Sequence, residues 1–98
     1  MIIRIRIGQE EIDRGDACDC YLCPGALAIN RCLADDCYSV VGDDEILIEK
    51  LGWGPECYCK VKTPQILTDF IDLFDRCGAK RVQPIEFDLD IPRDFLKV

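Results

Sequence analysis

The residues best equipped for chemistry are cysteines: eight in 98 residues, five of them between Cys18 and Cys37 in the stretch CDCYLCPGALAINRCLADDC. As thiolates they bind soft metals. Cys18, Cys20 and Cys23 lie close together, Cys57 and Cys59 form a second near pair, and these five would supply an all-sulfur set for zinc or an iron–sulfur cluster. Cys20-Tyr21-Leu22-Cys23 is also a C-x-x-C running into a helix, where the positive end of the macrodipole depresses a thiol pKa and suits redox exchange. A disulfide framework is the third chemistry, and it requires an oxidising compartment.

Each reading meets an objection. Structural zinc sites usually present two C-x-x-C knuckles, whereas this chain has one. Thioredoxin-like enzymes place the motif directly after a strand, but the nearest upstream strand ends near Ile7. The start MIIRIRIGQE lacks the apolar h-region of a secretory signal, so a cytoplasmic protein with reduced thiols is expected. The plainer alternative is that the thiols fill the core. Cys57 and Cys59 share an alternating face with Val61, and free cysteine is among the most buried residue types. On that reading no cofactor is expected, with zinc as the alternative, and Cys32, Cys37 and Cys77 are core or helix-end residues.

Composition narrows the classes further. Histidine is absent, which removes the usual near-neutral acid–base group and with it catalytic triads and histidine-based metal hydrolases. A formal charge of −7 argues against direct nucleic-acid binding, which needs clustered Lys and Arg, and suits a basic protein partner. The same acidity also keeps a small protein soluble. No apolar run reaches the roughly 18 residues of a membrane span, so no membrane association is expected.

These side chains must be positioned by the elements around them. Ile3, Ile5 and Ile7 alternate with Arg4 and Arg6, which predicts a half-buried strand, and a short helical turn over Gln9 to Arg14 should hold Ile12 inward. Cys23-Pro24 predicts a helix start, with Cys23 as N-cap, Leu22 and Leu27 as a hydrophobic staple, and the helix running to Ala34. Tyr38 to Val41 and Ile46 to Glu49 flank Gly42-Asp43-Asp44 as a hairpin, and Glu56 to Lys62 reads as a fourth strand. Thr63-Pro64 predicts a capped start for an amphipathic helix that ends at Gly78. Its apolar arc is Ile66, Leu67, Phe70, Leu73, Phe74 and Cys77, and its far side carries Asp69, Asp72 and Asp75. Ile85, Phe87, Leu89 and Ile91 alternate with Glu86, Asp88 and Asp90 in a last strand, predicted to pair with the first through opposite charges. Arg93 to Val98 should lie outside the sheet and fray. The sum is one α+β domain over residues 1–98. It should hold a largely antiparallel sheet of about five strands with two main helices packed on one face.

Four short segments carry a resemblance: Glu11-Ile12-Asp13-Arg14-Gly15, Cys23-Pro24-Gly25-Ala26-Leu27-Ala28, Phe70-Ile71-Asp72-Leu73-Phe74-Asp75 and Val82-Gln83-Pro84-Ile85-Glu86-Phe87. In this order they resemble small uncharacterised proteins of bacteriophages and prophages, which have a CP-x-A-L-A helix, an F-I-x-x-F-D helix and a C-terminal V-x-P-x-x-F strand. The surplus cysteines and the segment KLGWGPECYCK depart from that pattern. The resemblance implies a protein made in the cytoplasm of a bacterial host cell, and it carries over no catalytic residue.

The function expected from these readings is non-catalytic. A small phage-type protein would bind and inhibit a host or defence protein through an acidic surface, with Asp69, Asp72, Asp75 and the lone Trp53 as contact residues. One rival is sequestration of a small molecule or nucleotide stacked on Trp53, Tyr58 or Tyr21. The other is the all-cysteine zinc or iron–sulfur module of Cys18, Cys20, Cys23, Cys57 and Cys59. An unpaired strand edge offers a route to a homodimer.

Overall fold

Alternation builds the first strand as the isoleucines dictate. In the computed structural model, which describes residues 1–52 and 57–97, β1 (Ile2–Ile7) buries Ile5 and Ile7 and turns Arg4 and Arg6 to solvent. Gly8 ends it, and the one-turn helix α1 (Gln9–Arg14) tucks Ile12 into the core. Glu11 on that turn is buried yet satisfied, accepting from the Gly8 N–H at 2.7 Å and pairing with Arg31 at 3.1 Å. The last strand, β5 (Ile85–Asp90), runs antiparallel beside β1 with Arg4 opposite Asp88 and Arg6 opposite Glu86. The guanidinium groups reach those carboxylates at 2.6 Å each, so the predicted pairing of opposite charges across the two strands is present.

The remaining strands form a second sheet. β2 (Cys37–Val41), β3 (Glu45–Lys50) and β4 (Tyr58–Lys62) are consecutive antiparallel neighbours, and the predicted hairpin turns through Gly42 to Asp44. Five strands and an α+β architecture are therefore as expected, but the strands divide into sheets of two and three rather than joining in one.

Two longer helices tie the sheets together. α2 (Pro24–Asn30) starts at proline as predicted, with the Cys23 sulfur accepting from the Ala26 N–H at 3.4 Å. It contacts both β1 and β2, so it sits between the sheets rather than on one face of a single one. α3 (Gln65–Cys77) buries Leu67, Phe70 and Phe74, packs on β5 and α2, and stops at Gly78, whose φ of 83° suits a residue without a Cβ. Gly25 of α2 lets the two helices close, since a Cβ there would stand 3.1 Å from a Leu67 methyl.

Several local expectations are revised. α2 ends at Asn30, four residues early, as the chain tightens into i→i−3 turns in which the Cys32 and Leu33 N–H groups donate to Ile29 and Asn30; the Asn30 carboxamide oxygen there accepts from the Ser39 N–H at 2.7 Å. Leu22, expected as one half of the hydrophobic staple, is 47% exposed. Thr63 does not cap α3; its hydroxyl donates to the Gly42 carbonyl at 2.9 Å and fastens the start of the helix to the hairpin turn. The C-terminal segment does not fray as far as Lys97, whose N–H donates to the Cys32 carbonyl at 3.1 Å; Val98 lies outside the described residues. Leu96 bridges to Leu33, and both Phe95 and Leu96 are buried in the same apolar cluster as the two sheets.

Candidate functional site

The cysteine loop between α1 and α2 is fastened at both ends and in the middle. Gly15 lies against Pro24 so closely that a Cβ would stand 2.5 Å from its ring and 2.7 Å from its backbone nitrogen. The Asp16 N–H donates to the Leu22 carbonyl at 2.9 Å and closes the loop. Inside it, Asp19 forms an Asx-type turn by accepting from the Tyr21 and Leu22 N–H groups at 2.9 and 3.1 Å. The Cys23 N–H then donates to the Asp19 carbonyl at 2.9 Å, which completes one helical turn over Asp19 to Cys23.

Two contacts moor this loop to the body. The Cys20 carbonyl accepts from the Val41 N–H of β2 at 2.9 Å, and the Cys18 N–H donates to the Asp75 carboxylate of α3 at 2.8 Å. Cys18 has a φ of 58°, a left-handed conformation that side chains rarely adopt, and the Asp75 contact holds it there.

Beneath the loop is a cleft of about 290 Å³ lined by Cys18, Cys20, Cys23, Asp43, Ile71 and Asp75. Its thiols are unequal. Cys18 and Cys20 are exposed, whereas Cys23 is only 3% exposed. Burial pushes the Cys23 thiol above its ordinary range, and the nearby Asp75 and Cys20 add to that rise.

The other sulfurs predicted as ligands lie elsewhere. Cys59 faces Ile48 across the β3–β4 pair, and Cys57 lines a second cleft of about 330 Å³ with Tyr38, Glu49, Lys50 and Tyr58. Cys18, Cys20 and Cys23 are thus brought together, but Cys57 and Cys59 do not join them. Among the described residues no three His, Cys, Asp or Glu side chains converge so as to hold a metal ion. All eight cysteines are free thiols.

The acidic row of α3 is divided in use. Asp69 accepts from Gln65 at 2.8 Å and Asp72 pairs with Arg76 at 2.9 Å, both on the solvent side, while Asp75 turns to Cys18. To one side of these acids, Ile66 is 46% and Leu73 36% exposed. They line an open groove of about 410 Å³ between α3 and the start of β5, together with Phe70, Val82, Pro84 and Ile85. Trp53 lies outside the described residues. Tyr21 stacks on Tyr38 with ring centres 6.4 Å apart, and the Tyr38 hydroxyl donates to Glu49.

Sequence reasoning missed Asp75 as a brace, because helical spacing assigns it to the wet face. It also missed the α3–β5 groove, whose far wall comes from a segment with no periodic pattern. No helix among the described residues is long and apolar enough to cross a membrane. These features define a class, an α+β domain with a thiol-lined cleft and an acidic helix face. Compared with family models, curated proteins and solved structures, the chain matches none.

Proposed function

We propose that this chain is a non-catalytic binding protein that engages a basic protein partner through the outer face of α3, and that the partner is a host protein of the bacterial cytoplasm whose action it blocks. The observation that carries the reading is the exposure of Ile66 and Leu73 on α3, beside the groove against β5 whose rim holds Asp69 and Arg81. Apolar anchors inside a charged rim are the arrangement that protein interfaces favour, since the anchors lose water while the rim sets orientation. The excess of 19 acids over 12 bases favours a partner carrying Lys and Arg around an apolar patch. The absence of histidine leaves the face without the commonest general acid–base group, which accords with binding rather than turnover.

The test is affinity capture from a bacterial lysate under reducing conditions, with Asp69→Lys/Asp72→Lys and Leu73→Ser as comparison baits. Asp75 is left intact because reversing it would also release Cys18. One protein retained by the wild type, lost with both variants and released by raised salt is the expected result. Equal recovery on all baits would remove this face from the binding site.

A further inference from the structure

The turn from Asp19 to Cys23 places an exposed thiol and a buried thiol three residues apart on one cleft, independently of anything on the outer face of α3. We propose that Cys20 and Cys23 form a thiol–disulfide exchange site for small cationic aliphatic disulfides, with Cys20 the attacking and Cys23 the resolving sulfur.

The geometry supports the pairing. In one helical turn, residues three apart have Cβ atoms about 5–6 Å apart. A disulfide draws them to about 3.5–4.5 Å, so closure needs a small local movement rather than refolding. The Cys20 end of the link stays exposed, which keeps the bond reducible, as an exchanging rather than a structural disulfide must be. Cys20 is the sulfur an incoming disulfide meets, because Cys23 is almost wholly covered and its sulfur is occupied by the Ala26 N–H. Charge selects the substrate. Three acids, Asp19, Asp43 and Asp75, are among the residues that line the cleft, and their charge attracts an ammonium-bearing disulfide and repels one bearing carboxylates.

The reaction balances within these partners. The Cys20 thiolate attacks one sulfur of the substrate R–S–S–R, the S–S bond breaks, and the leaving thiolate takes up the proton that Cys20 gave away. The Cys23 thiolate then attacks the Cys20 sulfur of the mixed disulfide and expels the second R–S⁻, which is protonated in turn. Two cysteine thiols are oxidised by two electrons, and the substrate disulfide is reduced to two thiols. The second step quickens as pH rises, because burial and Asp75 keep the Cys23 thiolate scarce near neutrality.

The test uses the reduced full-length chain and two probes, cystamine as the cationic disulfide and glutathione disulfide as the anionic one, followed by acid quench, alkylation and peptide mapping by mass spectrometry. Cystamine should yield a Cys20–Cys23 link, at least tenfold faster than glutathione disulfide when each rate is scaled to that of a free model thiol. Cys23→Ser, which retains an oxygen able to cap α2, should stop at a single adduct on Cys20. Cys20→Ser, an exposed substitution, should give no link to Cys23 and only the slow adducts of the other exposed thiols, Cys18 and Cys77, while Cys18→Ser should form the link as the wild type does. A link through Cys18, an adduct that persists at wild-type rate in Cys20→Ser, or equal scaled rates for the two probes would overturn the proposal.

Discussion

Thiols in this chain serve two environments, and pH separates them. Burial and a hydrogen bond to Asp36 push the Cys37 thiol up to about 11, and burial also raises Cys23 and Cys59. Because the folded-state pKa lies above the unfolded one, each favours the fold while neutral and ceases to do so as it ionises. Stability should therefore hold below about pH 8.5, the ordinary thiol value. It should then decline as pH climbs toward the Cys37 value of about 11. Urea midpoints measured across that range under reducing conditions will show the decline, and Cys37→Ala should flatten it. Space is the other constraint at this scale. Gly15→Ala would drive a methyl to 2.5 Å from Pro24, against ring and backbone that cannot rotate away. It should cost about 1–3 kcal/mol by chemical denaturation. The sequence shows which cysteines are neighbours along the chain, and Cys18, Cys20 and Cys23 do meet. What holds them is not visible there, since the Asp75 contact that fixes Cys18 spans 57 residues and leaves no local pattern.

Helices and strands were legible wherever a period repeated or a proline marked a start. Alternation located β1, β4 and β5, and Cys23-Pro24 located the start of α2. Ends were less legible because tertiary partners decide them. The Asn30 side chain at the last position of α2 accepts from Ser39 of β2, and Thr63 gives its hydroxyl to Gly42 rather than to its own helix. The β1–β5 ladder is the clearest case of a charge pattern fixing a neighbour. Arg6 lowers the pKa of Glu86, as does Arg4, so the ladder weakens when Glu86 is protonated in acid. Arg6→Glu should lower the urea midpoint at low salt, and adding Glu86→Arg should restore most of the loss. Both effects should shrink in 1 M salt, because these side chains are solvent-exposed and the screening length there is only about 3 Å.

Two sheets share one apolar cluster, and α2 is the element that touches both. Ile29 on its buried face has no exposed surface, so Ile29→Ala should cost about 2–5 kcal/mol. Far-ultraviolet circular dichroism and tyrosine fluorescence, the latter reporting on the three-stranded sheet, should still give coincident unfolding curves. Separate transitions would mean that the sheets are independent. The single α+β core was legible from composition and periodicity. The division into two sheets was not, since nothing along the chain states whether β1–β5 also pairs with β2. The buried tail escaped for the same reason: Phe95 and Leu96 follow the last alternating strand, and partners far upstream, Leu33 and Ala34 among them, give them a place. The β1–β5 pair carries a consequence for biosynthesis. A ribosome delivers β1 before the other described strands and β5 after them, so β1 must wait without its partner while the three-stranded sheet is already able to zip. During that interval its isoleucine-rich flank is open to chaperones and to other nascent chains.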